Sequence, residues 1–281
     1  MTDDIRSLLD RLEHFYDALP RDVAHPEEYG GLTLFVRDGA GWSFYARPRH
    51  GAPEPPSAAD VLAVRERQRE LGLPEAFEWV HDLTPELLPV ARSAGLSVLQ
   101  APLMVLDPAA LPDLAAVTKV PVRILDPAAE TFPADLAVRR AVATVGFGAA
   151  GTTVGDAGPA ARDAALVEIA PAMLAEERSR GLAGLRVSAL AESPERGALA
   201  GGMAMRVGDV AEIAGVATLP AARRRGLGAA VTVALARRLL DDGVEVVFLS
   251  AASDDVAQVY ARVGFRRVGT ACIAEPGAVT A

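Results

Sequence analysis

The sequence predicts an α+β protein built in two halves, and three observations predict it. The runs 185–191, 198–207 and 210–219 are apolar and strand-length. They are separated only by Glu192-Ser193-Pro194-Glu195 and Gly208-Asp209, so the chain turns back on itself twice as an antiparallel sheet. The last of these runs ends at Pro220, which has no N–H for a ladder, and leads through Arg223-Arg224-Arg225-Gly226-Leu227-Gly228 into an Ala/Leu/Val-rich helix over 229–240. Finally, Thr84 to Leu96 aligns without a gap on Ser253 to Phe265. Helix, closing glycine and following apolar residue coincide, with a short strand before and after each copy.

The elements follow in order. Residues 5–19 carry apolar side chains at helical spacing, with Pro20 as a stop. The runs 32–36 and 42–46 flank Asp38-Gly39-Ala40-Gly41 and read as a β-hairpin. A proline-rich loop over 48–56 precedes Ser57, an N-cap for a helix over 58–71. A strand over 76–80, a helix from Thr84-Pro85-Glu86 to Ala94 and a strand over 96–106 complete the first half, and 107–118 reads as a linker. The second half opens with a strand over 120–125 and a helix over 135–145. A helix over 159–180, interrupted near Pro171, comes next. After the three strands and the arginine–glycine corner come a strand over 244–250, a helix over 254–263, a strand over 266–274 and a frayed tail from Gly277. The domains are expected at 1–115 and 116–281.

Composition narrows the function classes. The chain has 281 residues and a net charge of −9, with Lys119 its single lysine, which argues against nucleic-acid binding. Hydrophobic residues make up 51%, but no apolar run is long enough to cross a membrane. The first ten residues are acidic and amphipathic, unlike a signal peptide, and Cys272 stands alone. A cytoplasmic protein without disulfides is expected. His14, His25, His50 and His81 lack metal-ligand spacing, so no metal is expected. Gly146-Phe147-Gly148-Ala149-Ala150-Gly151 fits a dinucleotide fingerprint only formally, because residues 152–159 make a poor helix.

The corner after the third strand suits an anion. Helix N-terminal N–H groups are unpaired, the dipole end is positive, and glycines allow close approach. Arg223 to Gly228 resembles the R/Q-x-x-G-x-G/A signature of the GCN5-related N-acetyltransferases (GNATs). Ser253 to Phe265 is similar to the family's second motif, N-x-x-A-x-x-x-Y-x-x-x-G-F, at Tyr260, Gly264 and Phe265, with Ser253 and Val256 departing from it. The resemblance covers roughly 119–275. The first half resembles only the later part of the fold, with Ala91 where Tyr260 stands and no arginine–glycine corner, as in tandem acetyltransferases with one degenerate copy.

The resemblance implies a mixed, mostly antiparallel central sheet flanked by helices, acetyl-CoA as donor and a primary amine as acceptor. It implies direct transfer of the acetyl group in a ternary complex. It assigns the pyrophosphate to Arg223, Arg224, Arg225, Gly226, Leu227, Gly228 and Ala229. It assigns pantetheine to the backbone of Val216 and Thr218, with the N–H of Val216 or Ala217 holding the thioester oxygen. It makes Tyr260 the acid that protonates the leaving thiolate, and Glu212 the candidate base. Ser253 reads equally as an N-cap and as a CoA contact. The loop 146–158 would lie over the acceptor, with Phe147, Thr152, Thr153 and Asp156 as contacts. An acyl-CoA-binding sensor or partner-binding module without catalysis is the alternative, and a longer acyl group is a third reading. Acceptor identity and oligomeric state, a homodimer included, stay open.

Overall fold

The computed structural model describes residues 2–39, 41–149 and 151–277. Ala40 in the expected hairpin turn, Ala150 in the glycine-rich loop and the tail 278–281 lie outside them. The fold is mixed α+β, with a mostly antiparallel sheet flanked by helices. By compactness the chain divides into one unit of residues 1–103 with 268–281 and another of residues 104–267.

In the first unit, α1 (Asp3–Ala18) buries Leu9, Leu12, Phe15 and Tyr16, a stripe with helical spacing. The hairpin differs from the expected one. It joins β1 (Ala24–Tyr29) to β2 (Leu32–Arg37), and β2 pairs next with the short β3 (Arg47–Pro48). Residues 42–45 form no strand. β1 gives no strand signal in the sequence because Ala24-His25-Pro26-Glu27-Glu28-Tyr29 is an exposed, polar edge carrying a proline, which is where prolines are tolerated in sheets. Helix α2 (Ala58–Glu70) starts in a full capping box between Ser57 and Asp60. Then come β4 (Phe77–Val80), α3 (Leu87–Ser93) and β5 (Leu96–Leu106). β4 pairs antiparallel with the last strand, β11 (Phe265–Pro276), through Ala271 to Ala274. Cys272 of β11 is fully buried, and burial pushes its thiol up to about 11, so it is a poor nucleophile.

The second unit begins with α4 (Leu114–Val117) and β6 (Val122–Ile124). It continues through α5 (Phe132–Phe147), α6 (Pro159–Ala164) and α7 (Pro171–Leu182), the last two separate helices as Pro171 requires. Strands β7 (Arg186–Ser193), β8 (Gly197–Val207) and β9 (Val210–Thr218) form the expected antiparallel run. Helix α8 (Leu227–Asp241), β10 (Val246–Ser250) and α9 (Asp254–Ala261) follow. The sheet order is β10-β9-β8-β7-β6, with β10 parallel to β9. The repeated unit of the sequence is visible twice. β4-α3-Gly95-β5 and β10-α9-Gly264-β11 share one plan, and each glycine has a left-handed φ, +83° and +98°.

The two sheet faces are fixed by two neighbouring glycines. A Cβ at Gly202 would stand 2.9 Å from Val231 and 3.4 Å from Leu235 of α8, so Gly202 faces α8. A Cβ at Gly201 would stand 3.2 Å from Arg139 of α5, so Gly201 faces α5. Alternation and cross-strand pairing then put Met203, Met205, Ala217 and Glu212 on the α5 face, and Ala204, Ile213 and Val216 on the α8 face. Gly202→Val should overpack the α8 layer. The expected loss is about 1–3 kcal/mol of stability, read from the urea midpoint.

Candidate functional site

Strand β9 is interrupted in two ways. Gly201 pairs with Ala217 but Met203 pairs with Ala214, so Gly202 faces two residues, Gly215 and Val216, in a β-bulge. On its other side, β9 pairs with β10 only through Val210, Ala211 and Glu212, opposite Val246, Val247 and Phe248. Beyond Glu212 the parallel ladder ends and 213–218 run on without β10. One edge of that backbone, with Val216, Ala217 and Thr218 on it, is left without a β10 partner. Glu212 stands at the fork, buried on the α5 face.

At the end of β9 the arginine–glycine corner is tightly wound. Arg224 has φ +63°, the only positive φ outside glycine among the described residues, and Gly226 follows at +75° as the N-cap of α8. A Cβ at Gly226 would approach the Val117 carbonyl to 3.0 Å, so space and φ both demand glycine there. Gly228 is different. A Cβ there would meet Thr218 Oγ1 at 3.4 Å and Val216 at 3.8 Å, ordinary contacts. The protein's own packing does not require glycine at 228, whereas a ligand seated on the helix start would. The first backbone bond of α8 is from Ala230 N–H to Gly226 C=O at 2.9 Å. Among the described residues, the N–H groups from Arg224 to Ala229 therefore have no acceptor. Successive free N–H groups at a helix start, in a turn held at left-handed φ, form an anion-binding nest. The donor set fits a pyrophosphate, and a strained non-glycine residue is a mark of functional sites.

The three arginines divide. Arg223 turns inward: its guanidinium donates to the carbonyls of Gly146 (2.8 Å), Ala149 (2.6 Å) and Thr153 (3.1 Å), and its N–H to Pro220. Its side chain holds the α5–α6 loop rather than facing an anion, a reassignment of the expected phosphate contact. The reason is the orphan carbonyls at the C-terminal end of α5, which a guanidinium satisfies well. Arg224 and Arg225 are exposed. Arg225 lines a cavity of about 330 Å³ with residues 115–120. The sequence marks this segment of α4, with Lys119, only as the end of a linker and the start of a strand. The loop is also tied through Gly155 N–H to Pro220 C=O and Ala221 N–H to Ala157 C=O. Phe147 remains 63% exposed on it.

Helix α9 carries the second motif. Ser253 caps it, its Oγ accepting from Val256 N–H at 3.3 Å, so the capping reading holds. Tyr260, seven residues on, is buried and meets Phe265 edge-on with centroids 6.1 Å apart. Among the described residues its hydroxyl has no hydrogen-bond partner. Burial pushes its pKa up to about 12, so the proton stays on Oη across the physiological range. Among the described residues no cluster could hold a metal ion, and no helix is long and apolar enough to cross a membrane.

Residues 190–273 match the family model described as FR47-like protein, a GNAT-type domain. Among solved structures the chain is similar to a GCN5-related N-acetyltransferase from Kribbella flavida, at 21% identity and a TM-score of 0.66 over 97% of both chains. It is similar also to a GCN5-related N-acetyltransferase-like protein from Streptococcus suis, at 12% identity and TM-score 0.53 over 96% of this chain and 99% of that one. A GNAT-family structure from Novosphingobium aromaticivorans matches at 16% identity and TM-score 0.51, covering 92% of each. No curated protein sequence matches the chain.

Two outcomes are expected from this geometry. Arg223→Met should free the loop it ties down, seen as faster amide exchange over 148–157 with little change in α8. Tyr260 should resist ionisation. Its folded pKa exceeds the ordinary 10.0, so its contribution to stability is full below pH 10 and fades as pH rises toward about 12. Comparing tyrosinate absorbance titrations of the wild type and Tyr260→Phe measures this.

Proposed function

We propose, from the premise that this chain has the GCN5-related N-acetyltransferase fold with an FR47-like segment at 190–273, that it is an acetyl-CoA-dependent N-acetyltransferase acting on a primary amine by direct transfer. The observation that carries the reading is the fork at Glu212, where β9 and β10 part just ahead of a helix start with free N–H groups. Acetyl-CoA supplies an activated thioester that an amine attacks.

The chain's own residues would act as follows. The N–H groups of Arg224 to Ala229 hold the pyrophosphate, with Gly228 leaving room for it. The open edge of Val216 and Thr218 pairs with the pantetheine amides. An N–H at Val216 or Ala217 donates to the thioester oxygen as negative charge grows there. Glu212, on the α5 face at the fork, takes a proton from the incoming ammonium directly or through water. Tyr260 Oη keeps its proton until the sulfur leaves as thiolate. Cys272 takes no part, so no acyl-enzyme forms on it.

Calorimetry with acetyl-CoA and a CoA-release assay over an amine panel test the reading. Gly228→Val should weaken acetyl-CoA binding at least about tenfold by filling the approach to the helix start. Glu212→Gln and Tyr260→Phe should bind acetyl-CoA normally and lower kcat by roughly a hundredfold. Tight binding without turnover of any amine would replace this reading with the acyl-CoA-binding module.

A further inference from the structure

Helix α5 lays Phe132, Leu136, Arg139, Val142 and Gly146 against the sheet. Arg139 is the one charged member of that stripe, and it is 7% exposed. Among the described residues its guanidinium has no hydrogen-bond or ion-pair partner, and its Nε is buried without an acceptor. Buried guanidinium groups are otherwise almost always paired, because desolvation of an unpaired charge is costly. Here desolvation pulls its pKa down to about 10.

The fold reserves space for this side chain. A Cβ at Gly201 would stand 3.2 Å from Arg139 Cγ and 3.1 Å from Leu190 Cδ2, so the residue beneath Arg139 is glycine. The charge around it is also out of balance. Glu177 of α7, a carboxylate that acts on Arg139, is already paired with Arg186. Arg140 adds a further positive charge from the exposed side of α5, and Arg186 has a buried Nε without an acceptor.

Register connects the patch with the fork. Arg186 pairs with Met205, and Met205 with Glu212, so the three form one row across β7, β8 and β9 on the α5 face. Leu190, Gly201 and Ala217 form a second row on that face, with Arg139 over Gly201. Adjacent strands are about 4.8 Å apart, so Arg139's strand neighbour Gly201 lies one strand from Ala217. The two rows stand four residues apart on β8, about 13 Å along the strand, a span that the Arg139 side chain, lying over Gly201, and an acceptor with its amine at Glu212 would share.

We propose that Arg139 anchors a carboxylate of the acceptor, which makes the substrate an amino acid or another amine bearing a carboxylate. This rests on the acetyl-transfer reading above. The planar guanidinium fork matches a carboxylate bidentately, and one added negative charge offsets the unpaired cation.

The test gives the wild type, Arg139→Met and Arg139→Lys acetyl-CoA with paired acceptors: glycine, β-alanine, L-lysine and L-glutamate, each beside its carboxamide, and O-phosphoethanolamine beside β-alanine. The expected result is that wild type prefers acids over amides by at least about tenfold in kcat/KM, carried by KM. Arg139→Met should abolish that preference, Arg139→Lys should keep part of it, and acetyl-CoA affinity by calorimetry should not change. Equal use of acids and amides by the wild type overturns the proposal, as does a preference that survives Arg139→Met. A preference for O-phosphoethanolamine overturns the carboxylate assignment. If Arg139→Met does not fold, an unchanged preference in Arg139→Lys overturns it instead. If no amine is consumed although acetyl-CoA binds, the transfer reading fails separately. The four acids are then titrated into the CoA-loaded protein, and absence of binding, or binding undiminished by Arg139→Lys, overturns the anchor.

Discussion

The site depends on where one ladder stops. Backbone N–H and C=O groups must find partners, and a parallel pair of strands normally supplies them along its length. Here β9 and β10 share only three register pairs and part after Glu212 and Phe248. The bulge at Gly215 and Val216 bends β9 on its other side, toward β8. Together they leave an edge of strand that protein does not fill, leading directly into the free N–H groups of α8. An extended, amide-containing ligand with a phosphate end complements both features at once.

The packing keeps that opening in place. On one face, Gly202 lets Val231 and Leu235 of α8 come down onto the bulge. On the other, Gly146 brings α5 close to Ala217, where an added Cβ would stand 2.8 Å from that side chain. Arg223 then closes the structure by joining the end of α5 to the corner after β9. The corner is strained at Arg224, and the Arg223 bonds and the contact of α4 with Gly226 hold the chain in that conformation. A helix start aimed at a ligand thus rests on tertiary contacts as much as on its own sequence.

Two polar side chains left unpaired in the described second unit are informative for the same reason. Tyr260 has a buried ring whose hydroxyl makes no hydrogen bond among the described residues, and Arg139 has a buried Nε without an acceptor. Such groups cost stability unless something else satisfies them. In the proposed reading Tyr260 serves the thioester end of the site and Arg139 the acceptor.

Much of this was legible in the sequence. Apolar alternation over 185–219, the turn residues between those runs, and the glycines at 226 and 264 follow from local rules of strand, turn and helix chemistry. The repeat of Thr84 to Leu96 in Ser253 to Phe265 became two strand–helix–glycine–strand units. The polar edge strand β1 was not legible, because its residues owe their conformation to pairing with β2 rather than to their own propensity. Nor was the separate task of Arg223, since three adjacent arginines look alike until the carbonyls at the end of α5 are brought beside one of them. Arg139 left a faint signal, a charge inside an apolar helical stripe. Local pattern determines which residues form strands and where glycine is required. Only the tertiary structure decides which backbone edges stay open and which buried charges stay unpaired, because both depend on partners distant in the chain.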